Sequence, residues 1–324
     1  MKKMLLIGFI ALSFNVNAQN ANNNFNPEGN VYGKIYSNFH SSLNDDIDDS
    51  GFEIKRVYFG YKYKMTSNFS ANIKLDIGSD NALKRYTYVK NAELIYTKDK
   101  LKINFGMINL YECCLQTKTW GHRYINKALL TKYNLGQTAD IGVSMLYKFN
   151  KFVSADITIT NGEGYANIQQ DNAFQSAIGV TVKPNDKITA RVYGDYSEKA
   201  EKELTFTSLL AYEATKDLSF GVEYNYKHNN KFIAEHNVYG FSSYISYDIN
   251  DKFELFGRFD DLSSNTLEGD NDPWNYNKEG QFIVGGVQFK PISKVKIAAN
   301  IQDWAPADNS DRETLFFINL EYKL

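Results

Sequence analysis

From about residue 31 to the last residue, apolar and polar residues alternate with a period of two, and nothing else in the chain constrains its fold as strongly. Phe69, Ala71, Ile73, Leu75 and Ile77 stand against Ser70, Asn72, Lys74 and Asp76. Leu218, Phe220, Val222, Tyr224 and Tyr226 stand in the same way against Ser219, Gly221, Glu223 and Asn225. Successive side chains of a strand point to opposite faces, so this alternation predicts strands with one apolar and one polar face. Amphipathic segments of helical period are not expected beyond the first residues. The pattern places sixteen strands, at 31–41, 52–64, 68–78, 87–97, 101–109, 137–149, 151–161, 173–183, 187–197, 203–214, 217–228, 236–248, 252–262, 278–290, 294–303 and 314–324.

The connections sharpen the reading. Tight ones fall at 65–67, 98–100, 150, 184–186, 215–216, 250–251 and 291–293, and each is followed or preceded by a longer one. Outer-membrane barrels alternate short periplasmic turns with longer extracellular loops in this way. A soluble β-sandwich also alternates along its strands, yet has no reason for such asymmetry between its connections. An even strand count puts both ends on the periplasmic side and lets the last strand close on the first. Phe316, Ile318, Leu320, Tyr322 and Leu324 carry the alternation to the final residue. They resemble the C-terminal strand that the barrel assembly machinery recognises, with Leu324 in the place of the usual aromatic. The expected fold class is all-β, a transmembrane antiparallel β-barrel set in the outer-membrane lipid of a Gram-negative bacterium.

The beginning of the chain agrees with export. Lys2 and Lys3 precede an apolar run from Met4 to Phe14, and Val16 and Ala18 are the small residues that a signal peptidase reads. Residues 1–18 are thus expected to be a signal peptide, 19–30 a disordered lead-in rich in Asn, and 31–324 the barrel. The 23 Tyr and 22 Phe against 5 Pro suit strands with aromatic girdles. A mean hydropathy of −0.45 also fits, because only alternate residues of such a strand meet lipid. No later stretch has the ~20 consecutive apolar residues of a membrane-spanning helix. The 36 basic and 38 acidic residues give no reason to expect nucleic acid as a partner.

A barrel of about sixteen strands leaves an aqueous channel unless something fills it. The longest connection, 110–136, is the candidate filler, and its Trp120, His122, Arg123 and Tyr124 are poor disorder formers that suggest an ordered loop folded into the lumen. Strand parity places Lys34, Arg56, Lys62, Lys74, Lys102, Arg191, Arg258 and Lys296 on the inner wall. Asp76, Asp140, Asp156, Asp195, Glu223 and Asp260 fall there by the same criterion. Arg56, Arg191 and Arg258 lie within strands while several of these acids lie nearer strand ends. With Lys118, Arg123 and Lys127 on the loop they suggest a basic constriction and modest anion preference, since a charged ring favours counter-ions in a narrow passage. The plainer alternative is that the charges only solvate the wall and pair with one another. Cys113 and Cys114 are adjacent, either reduced or joined as a vicinal disulfide, and only His122 lies near enough in sequence to suggest a metal. No metal, cofactor or catalytic group is expected, since none of the four histidines has a recognisable serine companion. An alternative class of function is a receptor or adhesin that acts through its long loops.

One family resemblance is carried by FEIKRVYFGYKYKMTSNFSANIKLDIG (52–78) and VKNAELIYTKDKLKINFGMIN (89–109). Together these look like the phosphate-selective porin O and P family, with Arg56, Ala92 with Tyr96, and Gly106 at matching places. The resemblance covers 52–145 and is architectural beyond that. It implies a general porin, a barrel of about sixteen strands, often a homotrimer, that passes small hydrophilic solutes or anions. The dense lysine series and paired tyrosine loop that phosphate selectivity would need are absent.

Overall fold

The computed structural model describes residues 25–44, 49–79 and 84–324. The expected signal peptide and residues 19–24 of the lead-in lie outside the described residues. Sixteen antiparallel strands form one closed barrel in which each strand pairs with its neighbours in sequence and the last pairs with the first. They are β1 Glu28–Ser42, β2 Ser50–Lys64, β3 Phe69–Ser79, β4 Arg85–Lys98, β5 Leu101–Asn109, β6 Ala139–Lys148, β7 Val153–Thr160 and β8 Gln175–Val182. The second half comprises β9 Ile188–Glu198, β10 Lys202–Glu213, β11 Leu218–His228, β12 Val238–Asp248, β13 Phe253–Ser264, β14 Gly280–Ile292, β15 Val295–Pro306 and β16 Glu313–Lys323. Every predicted strand is present. Closure leaves no unpaired sheet edge, which a barrel in lipid requires because hydrocarbon cannot satisfy free backbone groups.

Some boundaries differ, for local reasons. Strand β1 begins at Glu28, inside the expected lead-in, because Glu28, Gly29 and Asn30 pair with Lys64, Tyr63 and Lys62. The connection expected over 198–202 shrinks to 199–201, since Glu198 pairs with Lys202 and extends the ladder. That one loop is as tight as the turns at the other end.

The alternation separates two environments. Phe105, Ile157, Ile178, Leu210, Val222, Ile283 and Ile301 are exposed on the outer wall, where lipid would cover them. Asn72, Asp76, Asn104, Asp156, Asp195, Asn225, Asp260 and Asn319 are buried on the inner wall. Aromatic pairs such as Tyr61–Tyr63, Phe69–Tyr96, Tyr147–Phe149 and Phe253–Phe289 lie near the short-turn end, as an interfacial girdle does. Ile157 sits mid-strand on β7 between outward Met145 and Ile178. Ile157→Arg is expected to destabilise the barrel by about 2–4 kcal/mol, the cost of a cation near the bilayer midplane, measured by denaturant titration in phospholipid vesicles.

Register shifts in the β1–β2 and β3–β4 pairs bring extra residues to the inner wall. In β2 the register shifts so that Tyr36 faces Arg56 and Ser37 faces Ile54, leaving Lys55 as a bulge. In β4 Lys74 faces Asn91 and Leu75 faces Val89, leaving Lys90 as a bulge. Each bulge puts two consecutive residues on the inner side. The third long connection also contains helices, contrary to expectation: α1 Tyr111–Trp120 and α2 Leu129–Lys132. Helix α1 has Glu112 and Gln116 buried beside Cys113 and Trp120, so it has no apolar stripe for the sequence to display. Gly121 ends it in the left-handed region (φ 73°), donating its N–H to the Thr117 carbonyl.

Candidate functional site: the lumen and segment 110–136

Segment 110–136 leaves the wall after β5, and its contacts are made with inward-facing side chains of strands across the barrel. Gln116 Nε2 lies 3.5 Å from Thr207 Oγ1 on β10, and the Leu129 N–H donates to Glu223 on β11 at 3.3 Å. Tyr124 donates to Gln288 on β14 at 2.9 Å, and Asn126 Nδ2 to Gln302 on β15 at 3.0 Å. Main-chain carbonyls are held too, that of Ile125 by Lys55 Nζ at 2.8 Å and that of Lys127 by Arg258 at 2.6 Å. Trp120, Tyr124 and Ile125 pack with Tyr244, Phe256 and Phe282 into one apolar cluster. The Trp120 indole N–H donates to the Asn126 carbonyl at 3.0 Å, closing the segment on itself. His122 is buried beside it with Nδ1 2.7 Å from the Trp120 carbonyl and Nε2 2.9 Å from Glu254. Both ring nitrogens face acceptors.

The predicted inner-wall arginines are not free charges. Arg191 is bidentate on Asp156 at 2.6 and 3.0 Å, and both are buried. Arg258 grips Asp260 through Nε and NH2, each at 2.7 Å. Arg56 meets Asp76 at 2.9 Å. Asp140 accepts the Gly162 and Ile141 N–H groups at 2.6 and 2.7 Å and so fixes the start of the next loop. Glu223 is buried against α2. Lys74, Lys102 and Lys296 have no ion pair among the described residues, and Lys296 lies 5.8 Å above the Tyr124 ring. Lys118 points away from Arg123 and Lys127, lining a separate cavity with Lys151 and Lys183.

Several inner residues escaped the sequence reading. Lys55 and Lys90 are the two bulge residues, invisible to a strict period of two. Lys90 Nζ is 3.3 Å from Asp76, and Tyr165 from the following loop donates to the same carboxylate at 2.8 Å. Lys55, Arg56, Lys74 and Lys90 thus stand on β2–β4, with Arg123 and Lys127 on the segment. Burial, with Arg123 next, pushes the Lys127 ammonium down to about 8. On the other side Asp195, Glu203, Glu223, Glu254 and Asp260 are all buried, and three of them are paired with cations: Glu203 with Lys227, Glu254 with Lys290 and Asp260 with Arg258. Cys113 and Cys114 are free thiols, with Cys114 Sγ 2.9 Å from the Leu110 carbonyl.

A carboxyl anchors α1. Tyr193 OH lies against Glu112 and 3.1 Å from Asp195, while Glu112 also accepts the Gln137 N–H at 2.8 Å. One phenolic proton cannot serve two ionised carboxylates, and the nearest cation, Lys227, is engaged with Glu203 at 2.8 Å and with the Leu135 carbonyl. Burial, reinforced by Asp195, raises Glu112 from 4.5 to about 8. A carboxyl raised in the docked state favours docking when protonated. Docking of α1 should therefore weaken as pH rises from about 4.5 to about 8, and Glu112→Gln should remove that dependence. Quenching of Trp120 emission, with Trp274 and Trp304 replaced by Phe, measures it. A pH-independent wild type would contradict the assignment.

A closed sixteen-stranded barrel with a lipid-type exterior, a polar interior and a long segment packed against its inner wall has the architecture of the outer-membrane porins. Comparison with known proteins agrees. A family model described as "Putative beta-barrel porin-2, OmpL-like" matches residues 139–272. It falls mostly beyond the stretch that resembles phosphate-selective porins, and it supports the general porin class rather than that family. Among solved structures, the anion-selective porin from Comamonas acidovorans superposes with a TM-score of 0.68 at 9% identity, covering 92% of this chain and 100% of that one. OmpT of Vibrio cholerae gives 0.65 at 14% identity, covering 92% and 98%. OprB of Pseudomonas putida gives 0.65 at 9% identity, covering 91% and 94%. At these identities the likeness is one of fold. No curated protein matches in sequence.

Proposed function

We propose that this chain is an outer-membrane porin that lets small hydrophilic solutes diffuse through its lumen, with segment 110–136 as the constriction and a preference for anions. The observation that carries the reading is the closed sixteen-stranded wall, apolar outside and mainly polar inside. The anion preference rests on Lys55, Lys74, Arg123 and Lys127, which have no carboxylate ion pair among the described residues, whereas Arg191 and Arg258 are neutralised by their aspartates. Assembly as a homotrimer belongs to the same proposal; one structure of Vibrio cholerae OmpT is a trimer form. Planar-bilayer recording under a salt gradient tests it. An ohmic conductance with a reversal potential on the anion side is expected, and Arg123→Glu should move that potential towards cations. Well-folded protein that conducts nothing would favour a receptor or adhesin instead.

A further inference from the structure

A cavity of about 500 Å³ lies between α1 and the inner faces of β1–β5, towards the short-turn end of the barrel. Lys34, Lys74, Lys90, Arg123 and Lys323 line it, and no acidic side chain does. Two carboxylates behind the lining compensate part of this charge. Asp76 serves Lys90 at 3.3 Å, and Glu321 stands 3.7 Å from both Lys34 and Lys323. Lys74 and Arg123 have no ion pair among the described residues, so the cavity holds an excess of positive charge. Tyrosine rings stand beside these cations. Tyr36 and Tyr58 meet edge to face at 5.9 Å, and Lys74 and Lys90 sit 5.6 and 5.5 Å from the Tyr58 ring.

Size and lining narrow the occupant. A volume of about 500 Å³ is that of an organic-ligand site and far exceeds a single inorganic oxyanion. Cations beside tyrosine rings suit a solute with a charged head and a hydroxylated carbon body. We propose that this cavity binds an organic anion of at least two negative charges and sugar-phosphate size. Its charged group lies between Lys74 and Arg123, and its carbon body lies along Tyr36 and Tyr58. The proposal rests on the porin reading only for the route by which the solute arrives.

Calorimetric titration of the full-length protein in detergent micelles tests it, with glucose 6-phosphate, inorganic phosphate and glucose as probes. Glucose 6-phosphate is expected to bind with a dissociation constant below about 1 mM, phosphate at least about tenfold more weakly, and glucose not measurably. Lys74→Gln and Arg123→Gln, singly and together, should each weaken glucose 6-phosphate, by about tenfold or more in the double variant. Lys216→Gln, on an exposed turn, should leave it unchanged. Heat-modifiable gel migration reports folding of each variant. Absence of binding to folded wild type, or equal affinity for phosphate and glucose 6-phosphate, would overturn the site. Conductance without binding removes this inference and leaves the porin reading, while binding without conductance does the reverse.

Discussion

Replacing residues 112–135 with a short Gly-Ser linker is expected to raise single-channel conductance about threefold while the barrel still folds. The wall does not depend on the segment, because every strand is paired on both sides without it. The segment instead packs on inward-facing side chains of β10, β11, β14 and β15, and its Trp120, Tyr124, Ile125, Leu129 and Leu130 are each at most 1% exposed. Its removal would return that space to water. The same change uncovers Tyr244, Phe256 and Phe282, so the denaturation midpoint should fall even as conductance rises. An unchanged conductance from folded protein would mean that the narrowest point lies elsewhere. Ion preference should weaken in parallel, since Arg123 and Lys127 leave with the segment.

How much of this was legible in the sequence depends on how regular the backbone is. Period-two alternation assigned Asp76, Asp140, Asp156, Asp195, Glu223 and Asp260 to the inner wall, and each is buried there. The rule fails where the strand itself breaks step. At Lys55–Arg56 and Lys90–Asn91 the bulges turn consecutive residues to one side, and no composition signal marks them. Over 87–97 apolar and polar residues are mixed on both faces, and Lys90 is where the strand breaks step. Parity also says nothing of pairing: Arg191 and Arg258 point inward as expected, but each is spent on an aspartate placed by another register or by its own strand. The helices of segment 110–136 were hidden because both sides of α1 meet protein. Trp120, His122, Arg123 and Tyr124 argued for an ordered segment, though not for which wall would receive it.

Asp76 gathers two cations and a tyrosine hydroxyl at one point of the inner wall, and its loss should both destabilise the barrel and change its ion preference. Its carboxylate is fully buried and receives Arg56 at 2.9 Å, Tyr165 at 2.8 Å and Lys90 at 3.3 Å. It therefore ties β2, β3, the β4 bulge and the loop after β7 at one point. Asp76→Asn keeps the shape and removes the charge, leaving a half-buried guanidinium beside a buried ammonium. Uncompensated charges of this kind cost about 3–5 kcal/mol, and Arg56, at 20% side-chain exposure, places this site towards the lower end. The variant should unfold at markedly lower denaturant concentration and, in bilayers, shift the reversal potential further towards anions. Adding Lys90→Gln should recover much of the stability by removing one of the two stranded cations, and should pull the potential back. Coupling of that sign between the two substitutions separates an electrostatic centre from a packing defect. If Asp76→Asn changed neither stability nor reversal potential, Asp76 would be a spectator and the basic face would owe its order to the bulges alone.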